Sequence, residues 1–174
     1  MGDFERDFQV ITPPVLTNDG LSAYWGVSRS SFRGWTPKRF SRARNAVAGF
    51  DRNAKVPGQP VYAAPALSSD HVEPVIFGGT AGTEFVRMNF DFTEQVVVPT
   101  DGYIKTKALV DGNDRVVYYA EDNGLVHQAN FDDLTDIWTY TLPDGVDGEM
   151  AITAQTDVII IADIGGMVTA LQVS

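Results

Sequence analysis

The hydrophobic pattern of this chain consists of short runs of β-branched and aromatic residues, each bounded by Gly, Asp or Asn. Three of these runs, at residues 75–77, 115–119 and 158–161, are apolar at nearly every position. They are too short for helices, and their lack of alternation is typical of strands that are buried on both faces. The pattern therefore predicts three central strands in an all-β fold.

More polar segments flank the central runs and predict further strands. Residues 62–67, 104–109 and 150–153 precede the runs, residues 125–129 follow one of them, and residues 95–98 and 137–141 supply outer strands. The connectors are rich in Asp, Asn and Gly, which tolerate the backbone angles of tight turns. Two units end in the same Pro/Asp/Gly corner, at residues 99–102 and 142–145. Four strands and one corner therefore form a unit.

These units recur with a period of about 42 residues. In one track Phe77, Tyr119 and Ile161 follow each other at 42 residues, each with a glycine five positions later. In a second track the segments 49–51, 89–91, 130–132 and 170–172 follow each other at 40, 41 and 40 residues. A period of about 40 to 45 residues with several strands per unit is typical of propeller blades. We therefore predict an all-β β-propeller built from about four four-stranded blades.

The two ends of the chain depart from the repeat. Residues 14–26 form a first unit that contains an insertion, and the last unit stops at Ser174 after its third strand. Residues 7–12 are a spare strand at the front. Because a propeller can close its ring by completing one blade with strands from both ends, we expect the N-terminal strand to complete the last blade. The alternatives are an edge strand and the tail of a blade lost by truncation.

We interpret residues 1–174 as a single β-propeller domain. The chain has 174 residues, of which 44% are apolar, and this is enough for one well-buried domain. Since blade families of this kind usually build rings of about six to eight blades, three arrangements stay open. They are a four-bladed ring that closes on itself, half of an eight-bladed dimer, and a fragment of a larger propeller. We expect the first of these.

Composition limits the chemistry and the location of the protein. The chain has no cysteine, which excludes disulfides and thiolate ligands. Its longest strongly apolar stretch, residues 158–162, is too short to span a membrane. The first six residues lack the apolar core of a signal peptide. The compartment stays open: the chain is either cytosolic, or a mature or trimmed form whose export signal is missing.

Two segments resemble a known family. In residues 158–171 an apolar strand, a glycine turn and an Ala-Leu strand are similar to the pyrroloquinoline-quinone-type propeller repeat, and residues 130–138 resemble its tryptophan-docking segment. Asp136 replaces the turn glycine, and Trp138 occupies the docking position. The resemblance implies a β-propeller in a family that includes scaffolds and partner-binding platforms without quinone. The family's dehydrogenases have about twice as many blades, a calcium site and often a vicinal cysteine pair that this chain lacks.

The sequence contains little that indicates catalysis. His71 and His127 are its two histidines, and their spacing does not suit a metal site. It has no nucleophile elbow, phosphate-binding loop or dinucleotide fingerprint. The acidic loops at residues 111–114 and 144–149 carry oxygen ligands suited to Ca²⁺, although turn chemistry explains them equally well. We therefore expect no catalytic residue and no cofactor, with calcium as the alternative.

One basic segment breaks the repeat. Residues 28–45 contain six cations and no acid, so this insertion carries +6 and the rest of the chain −16, giving the net charge of −10. Such segregation attracts anionic partners. Thr36 and Pro37 form a cap pair that predicts a short helix over residues 36–46. The predicted partner- or anion-binding residues are Arg29, Arg33, Trp35, Lys38, Arg39, Arg42 and Arg44. The alternative is a solvated loop that packs against its own acidic propeller.

Three functions follow from these observations. The first is a non-enzymatic scaffold or protein-interaction module, acting on a protein partner or through self-association. The second is a polyanion-binding module that acts through residues 29–44. The third is a small or degenerate quinoprotein-like enzyme that uses the central channel. We favour the first, because propellers offer loop-rich faces and the sequence shows no catalytic constellation.

Overall fold

Every regular element in the described part of the chain is a β-strand. The computed structural model describes residues 8–10, 12–18, 22–29, 38–41, 49–53, 63–68, 75–80, 82–90, 94–113, 115–155 and 157–173. Within these ranges there is no helix, and therefore none long and apolar enough to cross a membrane.

Seventeen strands lie within these ranges. Their bounds are β1 Phe8–Val10, β2 Val15–Leu16, β3 Ser22–Tyr24, β4 Val27–Arg29, β5 Lys38–Ser41, β6 Gly49–Asn53, β7 Ala66–Leu67, β8 Val75–Thr80 and β9 Glu84–Asn89. The remaining strands are β10 Gln95–Pro99, β11 Leu109–Asp111, β12 Val116–Ala120, β13 Leu125–Asn130, β14 Asp136–Thr141, β15 Ala151–Ile152, β16 Val158–Ala162 and β17 Val168–Gln172.

Antiparallel pairing assembles most of these strands into four small sheets, which we call the first to fourth blades. The first blade has the order β2-β3-β5-β6, and the second and third are the meanders β7 to β10 and β11 to β14. The fourth blade has three strands in the described residues, in the order β15-β16-β17. The all-β propeller fold and its four-stranded units are thus confirmed.

The central strand of the third blade shows how the blades are held together. Val117 and Tyr119 of β12 belong to a core shared with the second blade, which contributes Phe77. The alternate residues Val116 and Tyr118 belong to a core shared with the fourth blade. Since side chains alternate across a strand, β12 buries one face against each neighbouring blade. This explains why its sequence is apolar at every position.

The first and second blades pack in the same way. Tyr24 of β3 is fully buried with Ile76, Val86 and Met88 of the second blade. Its ring lies 5.0 Å from that of Phe90, measured between centroids. The successive blades therefore lie face against face, as they do in a propeller.

The register of the hairpins corrects the predicted repeat by one residue. Thr83, Gly124 and Gly166 end the three equivalent turns, with φ of 57°, 92° and 89°. The blades are therefore offset by 41 and then 42 residues, so Phe77 corresponds to Tyr118 and not to Tyr119.

The hairpin register also tests the second set of repeated segments, which includes residues 89–91, 130–132 and 170–172. Val75 pairs with Asn89 and Val116 with Asn130, which confirms the offset of 41. In the fourth blade Val158 pairs with Gln172. The predicted correspondence of segment 130–132 with segment 170–172 was therefore wrong by two residues.

The predicted closure by the N-terminal strand was also wrong. β1 pairs with β4, with Phe8 opposite Arg29 and Val10 opposite Val27. In the part of the chain that the structure describes, β1 has no pairing with the fourth blade. Pairing with β4 closes a much shorter loop than pairing with β17, and this lowers its entropic cost.

The helix predicted over residues 36–46 is contradicted by β5. Lys38–Ser41 is a strand, in which Phe40 lies opposite Ala23 of β3 and Phe50 of β6. Neighbours on both sides satisfy the backbone of β5, and such tertiary pairing overrides a local cap signal. Part of the basic insertion is thus the third strand of the first blade.

Main-chain hydrogen bonds join each corner to the next hairpin. The Asp122 amide donates to the Tyr103 carbonyl at 2.8 Å, and the Ile164 amide donates to the Gly145 carbonyl at 2.9 Å. Tyr103 directly follows the first of the two predicted Pro/Asp/Gly corners, and Gly145 is the last residue of the second. These bonds fix the position of one blade relative to the next.

Gly79 provides a test of the face-to-face packing. A Cβ atom at this position of β8 would overlap the Ile104 side chain, which is fully buried between the second and third blades. We expect Gly79→Ala to lower the free energy of unfolding by about 1–3 kcal/mol, the usual cost of overpacking, in denaturant titration. Gly148→Ala is the matched control, because a Cβ atom there would meet nothing within 4 Å. Equal stability of the two variants would contradict this packing.

Candidate functional site

The fourth blade presents one apolar face that the described residues do not cover. Cross-strand pairs define this face: Ile160 lies opposite both Ala151 and Ala170, and Ala162 lies opposite Val168. Directly opposed residues project from the same side of a sheet. We call this set the outer face; its residues are Ala151, Val158, Ile160, Ala162, Val168, Ala170 and, as its polar member opposite Val158, Gln172.

Solvent exposure separates the outer face from the opposite side of the same sheet. Ile160 is 41% exposed and Val168 is 68% exposed, whereas Ile159 and Ile161 on the opposite side are fully buried against the third blade. In the adjacent turn, Ile164 is 69% and Met167 is 53% exposed. The fourth blade therefore has large apolar side chains in water beside a well-packed core.

The outer face resembles the face of the third blade that the fourth blade covers. By the hairpin register, Val158, Ile160, Ala162 and Val168 correspond to Val116, Tyr118, Ala120 and Val126 of the third blade. Those four residues are buried, and the fourth blade covers them. The outer face thus has the apolar pattern of a covered blade face without the cover. A contiguous exposed apolar surface of this kind is a candidate interaction site.

A second candidate is a cavity of about 410 Å³ at the inner strands of all four blades. Its lining consists of residues 15–18, 66–68, 107–110, 149, 150 and 152, including the cation Lys107 and the anion Glu149. In a closed propeller the inner strands line the central channel, which is the place that the third predicted function would use. Among the described residues, no group of three or more His, Asp or Glu side chains is arranged to hold a metal ion.

One of the two acidic loops considered for calcium has a local role. The Asn113 amide donates to Asp111 Oδ1 at 2.9 Å, which is a side-chain turn. In the second loop, the Asp144 carboxylate lies beside Gly165 in the hairpin of the fourth blade. The bond between Asn113 and Asp111 favours the turn interpretation for the first loop.

The third blade contains a buried polar network that the sequence pattern did not reveal. The fully buried carboxylate of Glu121 accepts hydrogen bonds from the amides of Asp101 and Gly102 and from Asn123 Nδ2. His127 Nε2 lies 2.9 Å from Glu121 Oε1, and Nδ1 lies 2.9 Å from Asp136 Oδ1. The imidazole ring thus bridges the two carboxylates, one at each ring nitrogen.

Aromatic stacking continues this network into the second blade. The ring of Tyr119 stacks on that of His127 at 4.3 Å and on that of Phe85 at 3.9 Å. Burial, followed by the charges of Asp136 and Glu121, raises the pKa of Tyr119 above its ordinary value, so the phenol stays neutral. The network braces two blades and the corner between them. At the positions equivalent to His127, the second blade has Val86 and the fourth blade has Thr169, so His127 has no counterpart of its own chemistry in those two blades.

The chain shares its fold with BamB. The crystal structure of BamB from Moraxella catarrhalis matches this structure with a TM-score of 0.71 and 17% sequence identity, over 94% of this chain and 46% of that chain. At this identity the likeness shows the fold alone. The chain spans less than half the length of BamB.

Sequence comparisons add no closer assignment. No protein-family model matches the chain, and no curated protein matches it. The β-propeller relationship is thus supported by structure, whereas the resemblance to pyrroloquinoline-quinone-type repeats stays a prediction at the level of family. Trp138, assigned to the docking position, is half-buried and packs against the core between the third and fourth blades.

The structure places only part of the predicted basic site. Arg29 is the last residue of β4, and Lys38 and Arg39 begin β5, where they lie opposite Asn53 and Arg52. The other predicted residues lie outside the described residues: Arg33, Trp35, Arg42 and Arg44. Partner or anion binding by this segment therefore stays a prediction.

The His127 network leads to a stability prediction. His127→Ala removes one of the hydrogen bonds to the buried Glu121 carboxylate and the ring stacked on Tyr119. We expect a loss of about 2 kcal/mol in the free energy of unfolding, measured by denaturant titration. Thr141→Ala on the exposed edge strand β14 is the control, and it should change stability by less than about 0.5 kcal/mol. A comparably small effect of His127→Ala would show that the network does not brace the blades.

Proposed function

We propose that this protein is a non-enzymatic β-propeller module for protein–protein interaction, and that the outer face of its fourth blade is the contact surface. One observation carries the proposal. Ile160, Ala162 and Val168 of the outer face are exposed, whereas their equivalents Tyr118, Ala120 and Val126 in the third blade are buried by the next blade. The chain repeats the pattern of a covered face at a place where the described residues supply no cover.

Physical chemistry favours an occupant for this face. Covering apolar surface is worth roughly 25 cal/mol per Å², so Ile160 and Val168 gain stability when another surface excludes water from them. The face is a pleated sheet with small residues between the large ones, and in this fold such faces are covered by other sheets. The best-matched partner is therefore a surface that presents a β-sheet.

The shared fold with BamB supports this proposal at the level of architecture. The chain matches less than half of that structure, so a propeller of that length has further blades beyond the matched part. A blade is thus a chemically reasonable occupant of the outer face. No observation in the described part of the chain favours polyanion binding or catalysis over this proposal.

Thiol labelling tests whether the outer face is covered. The chain has no cysteine, so Ile160→Cys creates a unique thiol on the outer face, and Thr141→Cys creates one on the exposed strand β14. We expect the thiol at position 160 to react at least about tenfold more slowly, because labelling requires the face to open. The two rates should become equal in denaturant.

The labelling is done both on the purified full-length protein and in cells that naturally contain it. Protection of position 160 in either setting supports the proposal. Equal native rates at positions 160 and 141 in both settings would overturn it, since the face would then have no occupant.

A further inference from the structure

We propose that the occupant of the outer face is the first blade of a second copy of this chain, so that two copies close one ring. This inference rests on the proposed function and names its partner. Each copy would offer its fourth blade to the first blade of the other copy. The two contacts would be equivalent by two-fold symmetry, and neither end of the arc would stay uncovered.

One described residue of the first blade is exposed on the side that faces away from the second blade. In its sheet, Val15 lies opposite Tyr24, and this side packs against the second blade. Leu16 lies opposite Ala23 and so projects from the other side, where it is 64% exposed. In the third and fourth blades, the same side of the sheet packs against the preceding blade. Among the described residues, the first and the fourth blade thus each expose a large apolar side chain on the side away from the neighbouring blade.

Charge distribution distinguishes a second copy from an arbitrary apolar partner. After Arg115 the chain contains ten Asp and Glu residues and no Lys or Arg. Five of these acids are at or beyond the last corner: Asp144, Asp147, Glu149, Asp157 and Asp163. Of the six cations in the basic segment 28–45, Lys38 and Arg39 lie in β5 of the first blade. A contact between a fourth and a first blade brings the two charge signs together, which favours this pairing over contacts between like blades.

The size of the arc agrees with this arrangement. The chain aligns over 94% of its length with 46% of the BamB chain. Two copies would therefore supply about as many blades as that structure, within the usual range of about four to eight. The notion of a four-bladed ring closed on itself leaves the exposure of Ile160, Val168 and Leu16 unexplained.

The first test is the mass of the full-length protein in solution, measured by sedimentation over a range of concentrations. We expect a dimer. Ile160→Lys places an uncompensated charge in the contact and should raise the dimer dissociation constant at least about 100-fold. Thr141→Lys, on the edge strand of the third blade, is the matched control and should leave the dimer intact. Circular dichroism of the monomeric variant checks that the fold is retained.

A second variant probes the other side of the contact. Changing Arg33, Lys38, Arg39 and Arg42 together to Ser should weaken the dimer at least about tenfold at low salt, with a smaller difference at high salt because charges are screened. An equal mixture with Ile160→Lys should restore a mixed dimer, because one contact then has two unmodified faces. Contacts between two fourth blades would instead leave the Ser variant fully dimeric by itself, and this result would overturn the proposal.

These results separate this inference from the proposed function. A monomer at all concentrations whose residue 160 is nevertheless protected from labelling would overturn self-association and leave an interaction with another partner intact. A monomer in which residue 160 reacts as fast as residue 141, in purified form and in cells, would overturn both. A dimer lost with Ile160→Lys, weakened in the Ser variant and restored in the mixture supports both.

Discussion

The architecture depends on the burial of each central strand between two neighbouring sheets. β12 buries Val117 and Tyr119 against the second blade, and Val116 and Tyr118 against the fourth. A sheet with two apolar faces needs a neighbour on each side, and hydrophobic burial is the main favourable term in folding. A row of such sheets is stable in its middle and incomplete at its ends. Ring closure is the arrangement that removes this problem, since it leaves no end.

Polar interactions determine how the sheets sit against each other, because apolar faces alone tolerate sliding. Glu121 binds the amides of the preceding corner, and His127 connects this carboxylate to Asp136 on the outer strand β14. Buried carboxylates are costly unless their partners are in place, so such a network penalises other arrangements. The corner amide bonds recur between blades, whereas this His/Glu pair belongs to the third blade alone among the described residues.

The sequence was sufficient for the strands and the period but not for the register or the uncovered face. The run 75–77 predicts a strand because it is short and apolar. Since neither this run nor the run 115–119 alternates, the pattern aligns Phe77 with Tyr119 as readily as with Tyr118. Only the turn geometry at Thr83 and Gly124 reveals the shift of one residue. The strand β5 depends on β3 and β6, which a local cap signal does not contain. Ile160 is exposed because the described residues place no sheet over it, and a local sequence pattern does not contain this information.

The side chains of the outer face place a limit on what can cover it. At equivalent positions the third blade has Leu109, Tyr118 and Gln128, whereas the fourth has Ala151, Ile160 and Ala170. Smaller side chains leave space that a partner must fill, because interiors are close-packed and voids lose contacts. A second outer face would bring more alanines and leave gaps. A first blade presents the larger side chain of Leu16. Side-chain size and charge therefore both favour contact between a fourth blade and a first blade.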